Sequence, residues 1–200
     1  MGDHYMLGTG VKENLTNADP DRLCENLIIK YEIDNIPVTH VGIRAFTFHP
    51  RLKSIYIPNT IVFLGLDCFA YIPTLEKVIF EERYNSSLEF DRGIFYNDEM
   101  TIIRLPSKIS SRQHFVFSKS KMEKVIYCGM DKIDLLWFVD TPSPTIFVHP
   151  LYPYNSFGNV TNLVHFQECG IYTKMSVISI KYIQHSFLSA LSLYVIIFCY

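Results

Sequence analysis

A repeat solenoid of short, parallel β rungs is the fold this sequence predicts, and three observations carry it. Aromatic anchors recur at Phe46, Phe69, Phe95 and Phe117, 23, 26 and 22 positions apart. Five or six residues after each anchor stands an apolar side chain (Leu52, Leu75, Met100, Met122). A short alternating run then follows: Ile55-Tyr56-Ile57, Val78-Ile79-Phe80, Ile103-Arg104-Leu105 and Val125-Ile126-Tyr127. A period of this size marks an array in which each unit buries its apolar face only when neighbours stack on it.

Residues 1–26 are polar and carry turn formers, including Asp19-Pro20-Asp21, so they read as a lead-in or N-terminal cap. Leu27-Ile28-Ile29 and Tyr31-Glu32-Ile33 begin a strand pattern that Asn35-Ile36-Pro37 breaks. Each unit of the array, 27–162, then contributes one strand. Side chains alternate across a pleat, so Ile55/Val78/Ile103/Val125 and Ile57/Phe80/Leu105/Tyr127 form two inward columns. The anchors fill the opposite wall on a short helical or 3-10 turn. Residues 130–145 depart from the pattern: 133–138 reads as one amphipathic turn and Thr141-Pro142-Ser143-Pro144 as a stiff linker. Ile146-Phe147-Val148-His149-Pro150, 21 residues after Val125, restores the strand as a fifth rung. A linker, 163–182, and a hydrophobic tail, 183–200, complete the division.

The repeat resembles the BspA-like class of leucine-rich repeat. The match reads Val38-Thr39-His40-Val41-Gly42-Ile43-Arg44-Ala45-Phe46, then Leu52-Lys53-Ser54-Ile55-Tyr56-Ile57-Pro58. It is good over about 33–128 and looser over 146–162, and the third and fourth repeats are degraded: Gly93 lies two residues before Phe95, and no glycine precedes Phe117. The resemblance implies a non-catalytic surface protein that binds a protein or glycan ligand, and it brings no catalytic residue with it.

Composition narrows the classes. The chain is 48% hydrophobic and 14% aromatic, which fits aromatic ladders and excludes disorder. A formal net charge of −2 with no basic stripe removes the main energetic term for nucleic-acid binding. Five widely spaced cysteines, Cys24, Cys68, Cys128, Cys169 and Cys199, form no zinc-ribbon spacing, and their odd number argues against a disulfide framework. Cys68 stands where the first repeat has Ala45 and reads as a small buried hydrophobe. Met1 to Gly10 lacks the apolar run of a signal peptide, which points to a cytoplasmic scaffold as an alternative to a surface protein, while the degraded third and fourth repeats and the abrupt tail point to a truncated fragment as another. Sequons at Asn14, Asn85 and Asn159 and the apolar tail favour the surface and membrane attachment through 183–200, a run just long enough for a span or an anchor signal.

The motifs of nucleotide, phosphate, zinc-protease and hydrolase chemistry are all missing, so the chain reads as no enzyme and needs no metal or cofactor. The seven histidines never fall at ligand spacing and read as turn residues. Glu81-Glu82 and Asp98-Glu99 read as solvated acidic turns. The outward strand positions are more informative: Tyr56, Ile79, Arg104, Ile126 and Phe147 form one exposed column, four of them apolar or aromatic. Such a stripe, with an arginine in it, is the composition of a contact surface, and Ser54, Lys77 and Lys124 flank it.

Overall fold

The computed structural model describes residues 5–7, 24–83, 86–169 and 198–199. In chain order the strands are β1 (Tyr5–Leu7), β2 (Asn26–Ile28), β3 (Glu32–Ile33), β4 (Ile36–Val41), β5 (Ser54–Ile57), β6 (Phe63–Leu64) and β7 (Lys77–Phe80). They continue with β8 (Leu88–Phe90), β9 (Ile102–Leu105), β10 (Ile109–Ser111), β11 (Lys124–Tyr127), β12 (Thr145–Val148), β13 (Leu163–His165) and β14 (Phe198–Cys199). The five expected rungs are β5, β7, β9, β11 and β12, and every ladder among them is parallel. The array is a parallel β-solenoid, extended by β2 before β5 and by β13 after β12. β13 falls in the stretch read as linker.

Alternation dictates which side chains the rungs bury. Ile55, Val125 and Ile146 are fully enclosed, and Leu105 and Tyr127 close the second inward column. Phe80 is only half-buried, tilted against Phe90 at 6.1 Å. It lies where the rung sheet parts into two ladders, β14-β2-β5-β7 and β9-β11-β12-β13. The longest repeat, from Phe69 to Phe95, spans this gap. A second wall runs beside the rungs, β1-β4-β6-β8-β10, and its ladders are parallel too. Its strands are short. The break read at Asn35-Ile36-Pro37 is a hairpin, in which Asp34 and Asn35 hold φ of 52° and 63° between β3 and β4. Two consecutive left-handed residues are what a type I′ turn requires.

The helical or 3-10 turn expected at each anchor is not there: among the described residues there is no helix. A left-handed residue stands two places after every anchor, at Phe48, Tyr71, Asn97, Lys119 and Asp140. Another stands two places before the first four, at Arg44, Asp67, Gly93 and Phe115. Such an alternation cannot propagate a right-handed helix. It turns the anchor amide outward to the next coil instead. Phe46 N donates to Cys68 O at 2.9 Å, Phe69 N to Ile94 O at 3.2 Å, Phe95 N to Val116 O at 2.9 Å and Phe117 N to Trp137 O at 2.9 Å. Gly93 serves this geometry directly, since a Cβ there would collide with the Asp67 carboxylate.

The anchors form one stack, and it is longer than the four expected. Phe46, Phe69, Phe95 and Phe117 lie with centroids 5.4, 6.0 and 5.4 Å apart, and Phe138 continues the stack 5.3 Å from Phe117 at an interplanar angle of 8°. Residues 130–145 are therefore no departure from the array. They form a shortened fifth coil, with Phe138 21 positions after Phe117. The stack ends on a side chain: the Asn159 carboxamide accepts Phe138 N at 2.8 Å and donates to Phe138 O at 3.2 Å, standing in for a further coil.

The expectation against disulfides is also corrected. Cys128 and Cys169, 41 residues apart in sequence, are bonded with their Cα atoms 5.1 Å apart. Cys24 is disulfide-bonded as well, whereas Cys68 is a buried free thiol, as its position predicts. Wide sequence spacing is no barrier in an array, because β11 and β13 are both neighbours of β12.

Fully burying one Phe contributes roughly 1.5–3 kcal/mol before packing is counted. Phe69→Ala, inside the stack, is expected to lose about 3–5 kcal/mol in urea unfolding. Phe46→Ala, at its half-buried end, is expected to lose less. Equal losses would show that stacking does not carry the array.

Candidate functional site

The outward column forms two registers, one on each side of the break between β7 and β9. Tyr56 pairs with Ile79, Arg104 with Ile126, and Ile126 with Phe147. All five side chains are half-buried. The column is longer than the sequence suggested: Ile28 pairs with Tyr56 and Val164 with Phe147, and these end members are 40% and 39% exposed. No signal in the short runs around Ile28 and Val164 marks them, since each has too few alternating residues to establish a phase.

The polar groups on this face are tied into it. The Tyr56 and Tyr31 hydroxyls are 3.1 Å apart, and burial pushes the Tyr56 phenol far up, helped by the Tyr31 hydrogen bond and the nearby Glu81 charge. Ser54 Oγ lies 2.6 Å from Asn26 Oδ1. Lys124 Nζ sits 4.3 Å from the centre of the Phe147 ring, whose other neighbour, Phe166, meets it edge-on at 5.6 Å. A cation over an aromatic face fixes both side chains. The Arg104 guanidinium reaches Cys128 Sγ at 3.5 Å, beside the disulfide.

The remaining acids and histidines hold the turns. Glu81 accepts the Asn59 amide at 2.9 Å, and Glu82 accepts both the amide and the hydroxyl of Ser107. These bonds reach to the coils on either side of the gap in the rung sheet, so the pair is not the solvated turn expected. Asp98 departs further from that expectation. It is 1% exposed and accepts Ile72 N at 2.8 Å, while Oδ2 has no hydrogen-bond partner among the described residues. Only Glu99 of that pair is solvated, bridged to Lys121 at 2.6 Å. His49 and His149 each accept a nearby backbone amide at Nδ1, as turn histidines do, whereas His114 accepts the Leu136 amide of the next coil at 3.1 Å. Among the described residues no cluster of three His, Cys, Asp or Glu could hold a metal ion. Asn14 and Asn85 lie outside the described residues.

With this geometry in view, the class of protein is plain: a solenoid whose coils pair a parallel rung with an anchored turn. The chain belongs to the BspA type leucine rich repeat family, whose model matches residues 23–144 in six copies. That makes it a repeat protein of the protein-interaction kind. A solved structure, the leucine rich repeat protein of T. pallidum, is similar at 12% identity with a TM-score of 0.40, over 82% of this chain and 85% of that one. No curated protein matches.

Burial raises the Asp98 carboxyl well above its ordinary value of 3.8, the Ile72 hydrogen bond opposing it. The folded protein therefore keeps a proton that the unfolded chain releases, so this group's contribution falls as pH rises through about 4 and levels off above the folded value. Asp98→Asn keeps an acceptor for Ile72 and carries no charge. It is expected to be more stable than the parent at pH 7 by urea unfolding, with the difference vanishing below pH 4. A difference independent of pH would show that Asp98 is ionised in the fold.

Proposed function

We propose that this protein is a non-catalytic binding module that recognises a protein partner at a cell surface through its rung face. The observation that carries the reading is the row of half-exposed outward side chains, apolar but for Arg104, that runs in register from Ile28 to Ile79 and again from Arg104 to Val164. Seven rungs at about 4.8 Å each give a stripe roughly 29 Å long, enough to accept a partner's surface. Contact surfaces favour aromatic and arginine side chains over such a stripe, and Tyr56, Arg104 and Phe147 are spaced along it. A protein suits the column better than a glycan, since its centre offers apolar contact at Ile79 and Ile126 and few hydrogen-bonding groups.

The surface location is supported by the cysteines. Two bonded sites, Cys128–Cys169 and Cys24, suit an oxidising compartment and not a reducing one. The residues of the tail 183–200 ahead of β14 lie outside the described residues and are proposed as a membrane attachment that stays on one side of the bilayer, because β14 returns to the rung sheet. β14 itself pairs antiparallel with β2. Among the described residues no helix is long and apolar enough to cross a membrane.

Changing Tyr56, Ile126 and Phe147 together to Ser is expected to abolish binding of the purified protein to its target cells, with urea unfolding nearly unchanged. A triple variant that binds as the parent does sinks the rung-face reading. Expressed in a eukaryotic cell, the tagged chain is expected to shift in mass with an N-glycosidase and to sediment with membranes. Deleting 183–200 is expected to release it. A full-length chain that is unglycosylated and remains in the high-speed supernatant would favour the cytoplasmic scaffold.

A further inference from the structure

We infer that the partner offers an acidic amphipathic helix to the rung face, an inference that rests on the reading of that face as the binding surface. The chain carries a formal net charge of −2, yet its outward rung positions are charged only by cations. In register, the first outward position of each strand is occupied by Asn26, Ser54, Lys77, Ile102, Lys124 and Thr145. The second is the column itself, whose one charged member is Arg104. Lys77, Arg104 and Lys124 thus lie among apolar side chains, with no carboxylate at either position. Glu76 and Glu123 are exposed but stand one residue out of phase, and Glu81 beyond the strand end is engaged by the Asn59 amide. A face opposite in sign to the molecule that bears it selects an acidic partner, because charge complementarity steers encounter and excludes like-charged surfaces.

The spacing of the column selects the partner's secondary structure. The four steps from Tyr56 to Phe147 amount to about 19 Å at the usual strand separation. Four turns of a helix advance about 22 Å, and five same-side residues of an extended strand cover about 27 Å. A helix laid across the rungs can place one apolar residue over each of Tyr56, Ile79, Ile126 and Phe147, with acids beside the stripe meeting Lys77, Arg104 and Lys124. The Arg104 guanidinium is suited to a two-pronged bond with such a carboxylate.

The probe is a helical peptide with a leucine stripe flanked by glutamates, compared with its counterpart carrying lysines in place of the glutamates. Binding to the full-length protein is read by fluorescence anisotropy over a salt series. The acidic peptide is expected to bind, to weaken as salt rises and to lose on the order of tenfold in affinity to the Lys77→Glu/Arg104→Glu/Lys124→Glu variant, which gains affinity for the basic peptide. Circular dichroism confirms that the variant is folded. If both peptides bind equally and the triple Ser variant loses both, the acidic partner is refuted while the rung face stands. If the acidic peptide binds the triple Ser variant as it binds the parent, the rung face itself is refuted. No binding by the acidic peptide, or charge-dependent binding to phosphatidylserine vesicles alone, overturns the inference.

Discussion

One hydrogen bond, repeated coil after coil, sets the geometry of this protein. The amide of each anchor phenylalanine reaches the carbonyl of the residue before the next anchor, from Phe46 through Phe117. For an amide to leave its own turn and meet the next coil, the chain must reverse its sense two residues later, and this places Phe48, Tyr71 and their equivalents in the left-handed region. A bulky residue bears that conformation only where its surroundings over-determine it. Here they do. Each strained turn is bonded to its neighbour, and the anchor rings stack face to face at the same step, with interplanar angles of 13°, 13°, 9° and 8°. The bond and the ring stack therefore select a single coil-to-coil step, and the rungs on the other wall follow at the strand spacing.

The rungs and the first four anchors were legible in the sequence because they are the only places where large apolar residues recur at both long and short period. The rest was hidden for identifiable reasons. Strands β6, β8 and β10 are two or three residues long, and Glu89 and Ser110-Ser111 interrupt any apolar alternation, so the second wall left no pattern to find. Phe138 went unseen because Trp137 beside it and Leu135-Leu136 before it suggested a helical face. Its interval from Phe117 was the signal that would have found it. The turn conformation was misread because an apolar residue among small ones suits a 3-10 turn equally well, and only backbone angles distinguish the two. Cysteine pairing was invisible for the reason that makes the fold: stacking makes neighbours of residues whole coils apart. The binding column, by contrast, was legible at its centre, since alternation alone decides which side of a rung faces out. Its two ends needed the register.

Polar side chains inside such an array have little freedom, because every turn leaves amides that must be satisfied. Glu81, Glu82, Asp98 and Asp131 each accept a backbone amide from another part of the chain, at Asn59, Ser107, Ile72 and Ile109. Asn159 does the same at the end of the anchor stack with both ends of its carboxamide. A carboxylate so engaged is a structural group, and this explains why acidic pairs in the sequence have no catalytic geometry around them. Arg83 is the exception that resists this account: it is 2% exposed, and its guanidinium nitrogens meet no hydrogen-bond partner among the described residues. Burial lowers its pKa, Glu82 and Glu81 opposing that shift. The structure offers no physical reason for placing it there.

The outward rung residues are where the fold places the weakest demands and where composition is consequently most informative. Stacking is set by the anchors and the inward columns, so an outward position could be polar without disturbing either. Strand propensity would still favour isoleucine or tyrosine in the central rungs, where neighbours on both sides reward a flat apolar side chain. That preference is weakest at the ends. Yet Val164, in the three-residue strand that ends its ladder, keeps the column apolar at 39% exposure, as does Ile28 between β14 and β5 at 40%. At Val164 folding gains least from an apolar side chain, and the side chain there is apolar all the same. The cations set among its members are a second such feature, and two of them also hold the face together, Arg104 at Cys128 Sγ and Lys124 over Phe147. Both features are what a surface shaped by a partner would retain.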